Sequence, residues 1–161
     1  MAVEIYTDGG CHPSNPGPGG YGVVLRYNGH RRECSGGFRH TTNNRMELTA
    51  AIVGLESLTR PCRVTLYSDS KYLVDAMTQG WARRWRANGW TRNKRGERAL
   101  NPDLWQRLLE VADRHQVEFV WVRGHSGVAE NERCDQLARE AATRPGLPPD
   151  EAYESHGDSK A

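Results

Sequence analysis

The sequence predicts an α/β protein with a mixed five-stranded sheet flanked by helices. Five segments show the alternation or the short apolar run of a strand, and the segments between them show the helical spacing of apolar residues. Along the chain the order is β-β-β-α-β-α-α-α-β-α, with three strands in succession and then strands separated by helices, which is typical of a layered α/β architecture. The length of 161 residues favours a single domain with a buried core.

The first half of the chain is predicted to form a three-stranded meander followed by a helix. Alternating polarity and a later change to helical spacing give strands at 3–8, 20–27 and 30–40 and a helix at 44–58. The first strand is expected to end on Asp8 and to open into a glycine-rich loop. The second and third strands are expected to form a hairpin around the Asn28-Gly29 turn.

In the second half, strands and helices alternate. The same patterns give strands at 63–68 and 116–122 and helices at 70–77, at 81–88, from residue 102 and at 130–143. Ser70 is a suitable N-cap, and Pro102 suits the first position of a helix. Residues 145–161 are rich in proline, glycine and acids, so they are predicted to form a disordered acidic tail after a domain of residues 1–144.

Composition bears on where the protein works. Hydrophobic residues make up 37% of the chain and charged residues 26%, and the sequence has no apolar run long enough to span a membrane. The N-terminus lacks the basic and apolar regions of a signal peptide, so we expect a cytoplasmic protein, and a monomer with no membrane partner. The four cysteines match no zinc-binding spacing and are expected to be free thiols.

Residues 81–98, WARRWRANGWTRNKRGER, concentrate the positive charge of the chain. This stretch holds seven lysines and arginines and one glutamate, whereas the whole chain has a formal net charge of +2, so the rest is net acidic. Localised basic charge interleaved with tryptophan indicates a surface that holds a polyanion.

Four acids stand out by their place in the predicted elements, although each has an ordinary alternative. Asp8 and Asp69 both end predicted strands, where a solvated turn acid and a helix cap are the simpler interpretations. Glu47 lies on a small apolar stripe of its helix, where a buried charge needs a partner, although a helix-dipole role is possible. Asp135 precedes Arg139 by four residues, so a helix salt bridge is its simplest interpretation.

If these four acids converge at one end of the sheet, their mutual repulsion requires a cation. Oxygen ligands without a cysteine–histidine set favour a hard metal such as Mg²⁺ or Mn²⁺. Two such ions about 3.5–4 Å apart can activate a water and stabilise the leaving oxygen during phosphodiester hydrolysis.

Five stretches of the chain resemble bacterial type 1 ribonuclease H in order and spacing, over roughly residues 1–144. They are YTDGG (6–10), TTNNRMEL (41–48), YSDSKY (67–72), VRGHSG (122–127) and NERCDQLA (131–138). The resemblance implies a ribonuclease H-like fold and metal-dependent, endonucleolytic hydrolysis of the RNA strand of RNA–DNA hybrids. Cleavage is expected at many sequences and is expected to leave 5′-phosphate and 3′-hydroxyl ends.

The resemblance also implies roles for individual residues. It matches Asp8, Glu47, Asp69 and Asp135 to the family's metal-binding carboxylates, and His125 to a histidine that assists proton transfer or product release. The residues expected to contact the hybrid are Gly9, Gly10, Asn15, Thr42, Asn43, Asn44, Lys71, Trp81, Arg83, Arg84, Arg86 and Lys94.

These contacts are expected to divide between the backbone and the bases of the hybrid. Asn15 and Thr42 would hold a DNA phosphate, whereas Asn43 and Asn44 would lie near bases and sugars. The amides and the backbone around Gly9 and Gly10 can recognise a ribose 2′-hydroxyl in a wide, shallow minor groove. Residues 81–98 look like the family's basic protrusion, but Trp105 is expected to belong to the core.

The chain departs from the expected family pattern at two positions. Lys71 stands where glutamine is common and can add a phosphate contact. His40 stands where arginine is common, which weakens such a contact near neutral pH.

Three other functions compete with hybrid cleavage. The first is a hybrid-binding module without activity, which the presence of all four acids and His125 disfavours. The second is a nuclease of the same fold that acts on DNA, which the TTNNRMEL stretch and the basic segment disfavour. The third is a sugar-kinase-like or actin-like ATPase, which requires two such domains, whereas 161 residues hold one.

Overall fold

The computed structural model describes residues 2–124 and 127–155 and confirms the mixed five-stranded sheet. The strands are β1 (Ala2–Cys11), β2 (Gly17–Tyr27), β3 (His30–Thr41), β4 (Arg63–Ser68) and β5 (Gln116–Trp121). The helices are α1 (Asn43–Glu56), α2 (Lys71–Thr78), α3 (Trp81–Ala87), α4 (Pro102–Ala112), α5 (Ala129–Ala142) and α6 (Glu151–Ser155). The order matches the predicted order through α5, and α6 is an additional element.

The sheet has the order β3-β2-β1-β4-β5. β1, β2 and β3 pair antiparallel as the predicted meander, whereas β1, β4 and β5 pair in parallel. Tyr6 of β1 is directly opposite Tyr67 of β4, and their rings stack with centroids 4.7 Å apart. Because the two strands run in the same direction, Asp8 and Asp69, two residues further on, emerge at the same edge of the sheet.

Helices cover both faces of the sheet. The larger core lies on the face of Ile5, where α1 packs, and it contains the fully buried Trp105 of α4, as predicted. On the opposite face, α5 places Cys134 and Leu137 against Tyr6. Among the helices in the described part of the chain, none is long and apolar enough to cross a membrane.

The prediction that the first strand ends on Asp8 is wrong. β1 continues through Gly9 and Gly10 to Cys11, and it stays paired with β2 as far as the Cys11–Gly19 pair. A glycine run has the composition of a loop, but here the missing side chains let α1 approach the strand closely.

The prediction of a disordered tail from residue 145 is wrong for residues 145–155. This segment packs against β3 and ends in α6, with Asp150 7% exposed and Tyr153 4% exposed. Its backbone is also bonded to the sheet, because Arg39 N–H donates to the carbonyl of Pro148 at 2.9 Å. Local composition missed this packing because Arg39, Thr41 and Arg45, which hold the segment, lie more than a hundred residues earlier in the chain.

Candidate active site

The four predicted acids are brought together by four different elements. Asp8 lies within β1, Glu47 in the second turn of α1, Asp69 directly after β4 and Asp135 in α5. Carboxylate oxygens of Asp8, Glu47 and Asp69 all lie within 4.8 Å of one another. The predicted convergence of these three acids is therefore confirmed.

Asp135 approaches the cluster from the α5 face of the sheet. It lines a small cavity together with Asp8 and Asp69, and its proximity helps to raise the pKa of Asp8. One of its oxygens, Oδ2, also accepts a hydrogen bond from Arg139 Nε at 2.9 Å. The salt bridge that was the simpler interpretation of Asp135 is thus present, and the same carboxylate still faces the other acids.

Two glycines leave room for the acids of the cluster, one beside Glu47 and one beside Asp69. A Cβ on Gly9 would overlap the backbone of Met46 and lie 2.6 Å from the backbone nitrogen of Glu47. A Cβ on Gly124 would lie 2.8 Å from Oδ2 of Asp69. Gly9 therefore brings α1 and its Glu47 against β1, a packing role that the sequence did not reveal, while its predicted contact with a hybrid stays a prediction.

Burial and mutual repulsion raise the pKa values of two of the acids, Asp8 and Glu47. Burial, followed by the charge of Asp69 and by Asp135, raises the pKa of Asp8 to about 8. Burial also raises the pKa of Glu47 well above its usual range, and the charges of Asp8 and Asp69 add to that effect. Without a cation, the site holds more negative charge than the buried surroundings accommodate.

Glu47 supplies the clearest sign that a cation belongs here. Its Oε1 atom is buried and has no hydrogen-bond partner among residues 2–124 and 127–155. A buried carboxylate oxygen is ordinarily paired or bound to a metal. Three carboxylates with one unsatisfied oxygen therefore fit a hard divalent cation.

The residues predicted to contact the hybrid around α1 form one connected group. The Asn15 side chain accepts from the Asn43 backbone N–H at 3.1 Å, and the Asn43 side chain accepts from Cys11 N–H at 2.7 Å. A Cβ on Gly10 would lie 3.5 Å from Oδ1 of Asn43. The loop after β1 is thus tied to the start of α1, next to the acids, with Asn43 exposed.

Thr42 is held differently from its neighbours. It is the N-cap of α1, its hydroxyl accepts from the Arg45 backbone N–H, and it is 1% exposed. Its side chain therefore serves the helix start, and its predicted phosphate contact stays a prediction.

The helix of the basic segment, α3, packs beside α2 and α4, and α2 begins two residues after Asp69. Trp81 is 38% exposed, whereas Trp85 packs edge-on against the buried Trp105 with ring centroids 5.7 Å apart. Arg83 pairs with Asp113 at 2.7 Å. The residues predicted to bind phosphates here, Arg83, Arg84, Arg86 and Lys94, are exposed or half-buried.

Lys71 has a partner that the sequence did not suggest. Its ammonium lies 4.9 Å from the ring centroid of Trp121, which is 43% exposed. The indole N–H of Trp121 donates to the backbone carbonyl of Asp69 at 3.2 Å. An aromatic residue at the end of β5 thus borders the acid cluster, and only the parallel pairing of β4 and β5 brings it there.

Of the two histidines singled out in the sequence, the structure describes only His40. His40 packs against Tyr153 of the C-terminal segment, with ring centroids 5.5 Å apart. His125 lies outside the described residues, so its role in proton transfer or product release stays a prediction.

Comparison with known proteins connects this geometry to a family. The family model described as RNase H matches residues 1–143. Ribonuclease H of Rippkaea orientalis is 63% identical over 155 residues, which are 96% of this chain and 94% of that protein.

Two solved structures share the fold. One, described as LC9-RNase H1, a type 1 RNase H with the type 2 active-site motif, is 35% identical with a TM-score of 0.75, covering 88% of this chain and 72% of that one. The other, LC11-RNase H1 in complex with RNA/DNA hybrid, is 28% identical with a TM-score of 0.61, covering 87% of this chain and 96% of that one. Family match, sequence identity and shared architecture agree with the acid cluster, and the chain belongs to the RNase H family of ribonucleases.

Proposed function

We propose that this ribonuclease hydrolyses the RNA strand of RNA–DNA hybrids at the site formed by Asp8, Glu47, Asp69 and Asp135. The observation that carries the proposal is the meeting of carboxylate oxygens of Asp8, Glu47 and Asp69 within 4.8 Å of one another at one edge of the sheet. It is supported by the similarity to LC11-RNase H1, whose structure contains an RNA/DNA hybrid.

The proposed cofactor is Mg²⁺, with Mn²⁺ as a substitute, and the proposed arrangement uses two ions. When bound, such ions supply Lewis-acid stabilisation of the phosphodiester and lower the pKa of water. The unsatisfied Oε1 of Glu47 and the raised pKa of Asp8 support a site built for positive charge. Oxygen-only ligands favour these ions over softer metals.

The side chains around the cluster are proposed to orient the substrate. Asn43 and Asn44, together with the backbone near Gly9 and Gly10, offer donors and acceptors to a ribose 2′-hydroxyl. Such contacts distinguish RNA from DNA without a code for bases, which agrees with cleavage at many sequences. The basic residues of 81–98 add sequence-independent attraction to phosphates.

His125 is proposed to move a proton during the reaction or to help the product leave. Its usual pKa lies near neutral, which suits either task. In this scheme the ribose 2′-hydroxyl is recognised but does not attack. Water attacks the phosphorus, the bond between phosphorus and the 3′-oxygen breaks, and the 3′-oxygen leaves and takes up a proton, so the products carry 5′-phosphate and 3′-hydroxyl ends.

We also propose that the protein works as a cytoplasmic monomer. All four cysteines are free thiols, and Cys11, Cys62 and Cys134 are buried, which suits a reducing compartment. A single peak at the monomer mass in size-exclusion chromatography with light scattering would support the oligomeric state, and a dimer peak would contradict it.

The test of the function is one cleavage assay with three end-labelled substrates: a hybrid, an RNA duplex and a DNA duplex. The proposal predicts that Mg²⁺ permits internal cleavage of RNA in the hybrid alone and that EDTA stops it. Binding without cleavage would identify a module without activity, and cleavage of the DNA duplex would identify a DNA nuclease. A 2′,3′-cyclic phosphate product would show that the ribose itself attacked, which contradicts the proposed mechanism.

A further inference from the structure

An ion cluster around the buried Arg45 lies beside the acid site, two residues before Glu47 on α1. The Arg45 side chain is 5% exposed, and it contacts Asp103 at the start of α4 and Asp150 of the C-terminal segment, each at 2.7 Å. Its guanidinium makes five hydrogen bonds: two to Asp103, two to Asp150 and one to Asn101. Because a guanidinium has five N–H donors, every donor is used.

Asp150 is itself held in place from several sides. Thr41, the last residue of β3, donates its hydroxyl to Oδ2 of Asp150 at 2.7 Å. Further along the segment, Arg39 makes two hydrogen bonds to Glu154, at 2.8 and 3.0 Å. Residues 145–155 are therefore docked on β3 with one carboxylate aimed at the first turn of α1.

This segment lies outside the part of the chain that the RNase H family model matches. That match ends at residue 143, whereas the match to the Rippkaea orientalis enzyme covers 155 residues and so must include part of the segment. Nothing in the reaction proposed above uses residues 145–155, although they contact the turn that carries predicted substrate contacts.

The turn held by Arg45 is the one that presents Asn43 and Asn44. The backbone N–H of Arg45 donates to the Thr42 cap, and Asn43 is tied to Asn15 and to the end of β1. Arg45 thus anchors this turn from one side, while β1 and its loop anchor it from the other. The hydrogen bonds of Asp150 and Asp103 fix the orientation of the Arg45 guanidinium, and so the position of the first turn of α1.

Glu47 is fixed by other contacts. Its neighbours Met46 and Leu48 are fully buried, and the next turns of α1 are anchored in the core through Ile52 and Leu55. Loss of the Asp150 contact should therefore loosen the first turn of α1 while the carboxylate cluster keeps its place.

From these contacts we propose that Asp150 is a positioning residue: through Arg45, the C-terminal segment holds the first turn of α1 in the orientation that binds the hybrid. This inference rests on the proposed function. It assigns the segment to substrate affinity and not to the chemical step.

The test compares Asp150→Asn with two matched variants in the full chain, using hybrid cleavage in Mg²⁺. For Asp150→Asn we expect KM to rise about fivefold or more, with kcat within about twofold of wild type and an unchanged Mg²⁺ midpoint. Asp103→Asn weakens the same guanidinium from α4 and should also raise KM. Glu154→Gln weakens a contact of the same segment that does not reach Arg45, and it should leave KM unchanged.

Two results would overturn the positioning role. One is a lower unfolding temperature for Asp150→Asn with wild-type KM and kcat, which would mean that the cluster only stabilises the fold. The other is a fall in kcat with KM unchanged. If Asp150→Asn does not fold, Thr41→Val removes one hydrogen bond to Asp150 and keeps its charge. A folded Thr41→Val protein should show a smaller rise in KM, and a wild-type KM would contradict the inference.

The same assay separates this inference from the proposed function. A wild-type protein that leaves the hybrid intact would overturn the proposed function itself. Wild-type cleavage together with an unchanged KM in Asp150→Asn would overturn only the positioning role.

Discussion

Two groups of carboxylates lie beside the first turns of α1, and they differ in what neutralises them. Asp103 and Asp150 share the guanidinium of Arg45, whereas Asp8 and Glu47 face other acids. Burial acts on both groups in the same direction. For Asp103 it tends to raise the pKa, but the hydrogen bonds and charge of Arg45 outweigh it and lower the pKa. For Asp8 no cation among the described residues opposes burial, and the pKa rises to about 8.

Two residues of α1 therefore differ in role: Arg45 stabilises the fold around the first turn, and Glu47 belongs to the proposed active site. In the Arg45 cluster every N–H donor of the guanidinium makes a hydrogen bond within the protein, so the cation needs no further ligand. In the acid cluster Oε1 of Glu47 has no hydrogen-bond partner among the described residues, so a ligand is needed to satisfy it. Buried charge that the fold does not neutralise is a sign of function.

The largest expected effect comes from removing one acid of the unneutralised cluster. Asp69→Asn should lower hybrid cleavage by about 10²-fold or more, because a preorganised charge is lost. The same change should stabilise the metal-free protein by on the order of 1 kcal/mol, since it relieves repulsion with Asp8 and Glu47. Activity assays and urea unfolding in EDTA measure the two effects.

A matched control for this variant is Glu110→Gln, which removes one exposed carboxylate of α4. It should change neither activity nor stability appreciably. Near wild-type turnover of Asp69→Asn in Mg²⁺ would remove Asp69 from the proposed site.

Much of this comparison follows from the sequence, and part of it does not. Strand periodicity drew attention to Asp8 and Asp69, although β1 continues past Asp8 to Cys11, and the small apolar stripe of α1 drew attention to Glu47, because these signals are local. Neither the packing role of Gly9 nor the docking of Asp150 has a local signal. Arg45 and Asp150 are 105 residues apart, and the acidic composition around residue 150 resembles that of a disordered tail.

Removing the cation of the neutralised cluster should destabilise the protein, whereas removing an acid of the other cluster should stabilise it. Arg45→Met leaves Asp103 and the buried Asp150 facing each other, which should cost about 3–5 kcal/mol of unfolding free energy. Arg107→Met breaks the exposed pair with Glu56 and should cost less than about 1 kcal/mol. Urea unfolding of both variants measures the contrast, and equal losses would mean that burial of the ion pair does not matter.

The pH dependence of stability should also differ between the two clusters, with a smaller effect. In EDTA, folded Asp8 retains its proton up to about pH 8, whereas the unfolded chain loses it near pH 3.8, the ordinary value for an aspartate. The folded state therefore binds more protons between these values, and its stability should fall as pH rises through that range. Asp103, whose pKa is lowered, contributes stability that should disappear as pH falls below its unfolded value.

Unfolding midpoints from pH 3 to 9 would display both trends. In Asp8→Asn the decline between about pH 4 and 8 should be smaller than in wild type, because one titrating group is gone. An unchanged decline in that variant would show that other groups cause it.

The most direct measurement is calorimetric titration of Mn²⁺ into the wild type, Glu47→Gln and Asp103→Asn. Each variant replaces one carboxyl group by an amide, in the unneutralised and the neutralised cluster respectively. We predict that Glu47→Gln weakens Mn²⁺ binding by about tenfold or more, the scale on which changes at a metal site act, and that Asp103→Asn binds as the wild type does. Wild-type affinity in Glu47→Gln, or an equal loss in both variants, would contradict the assignment of the acid cluster as the metal site.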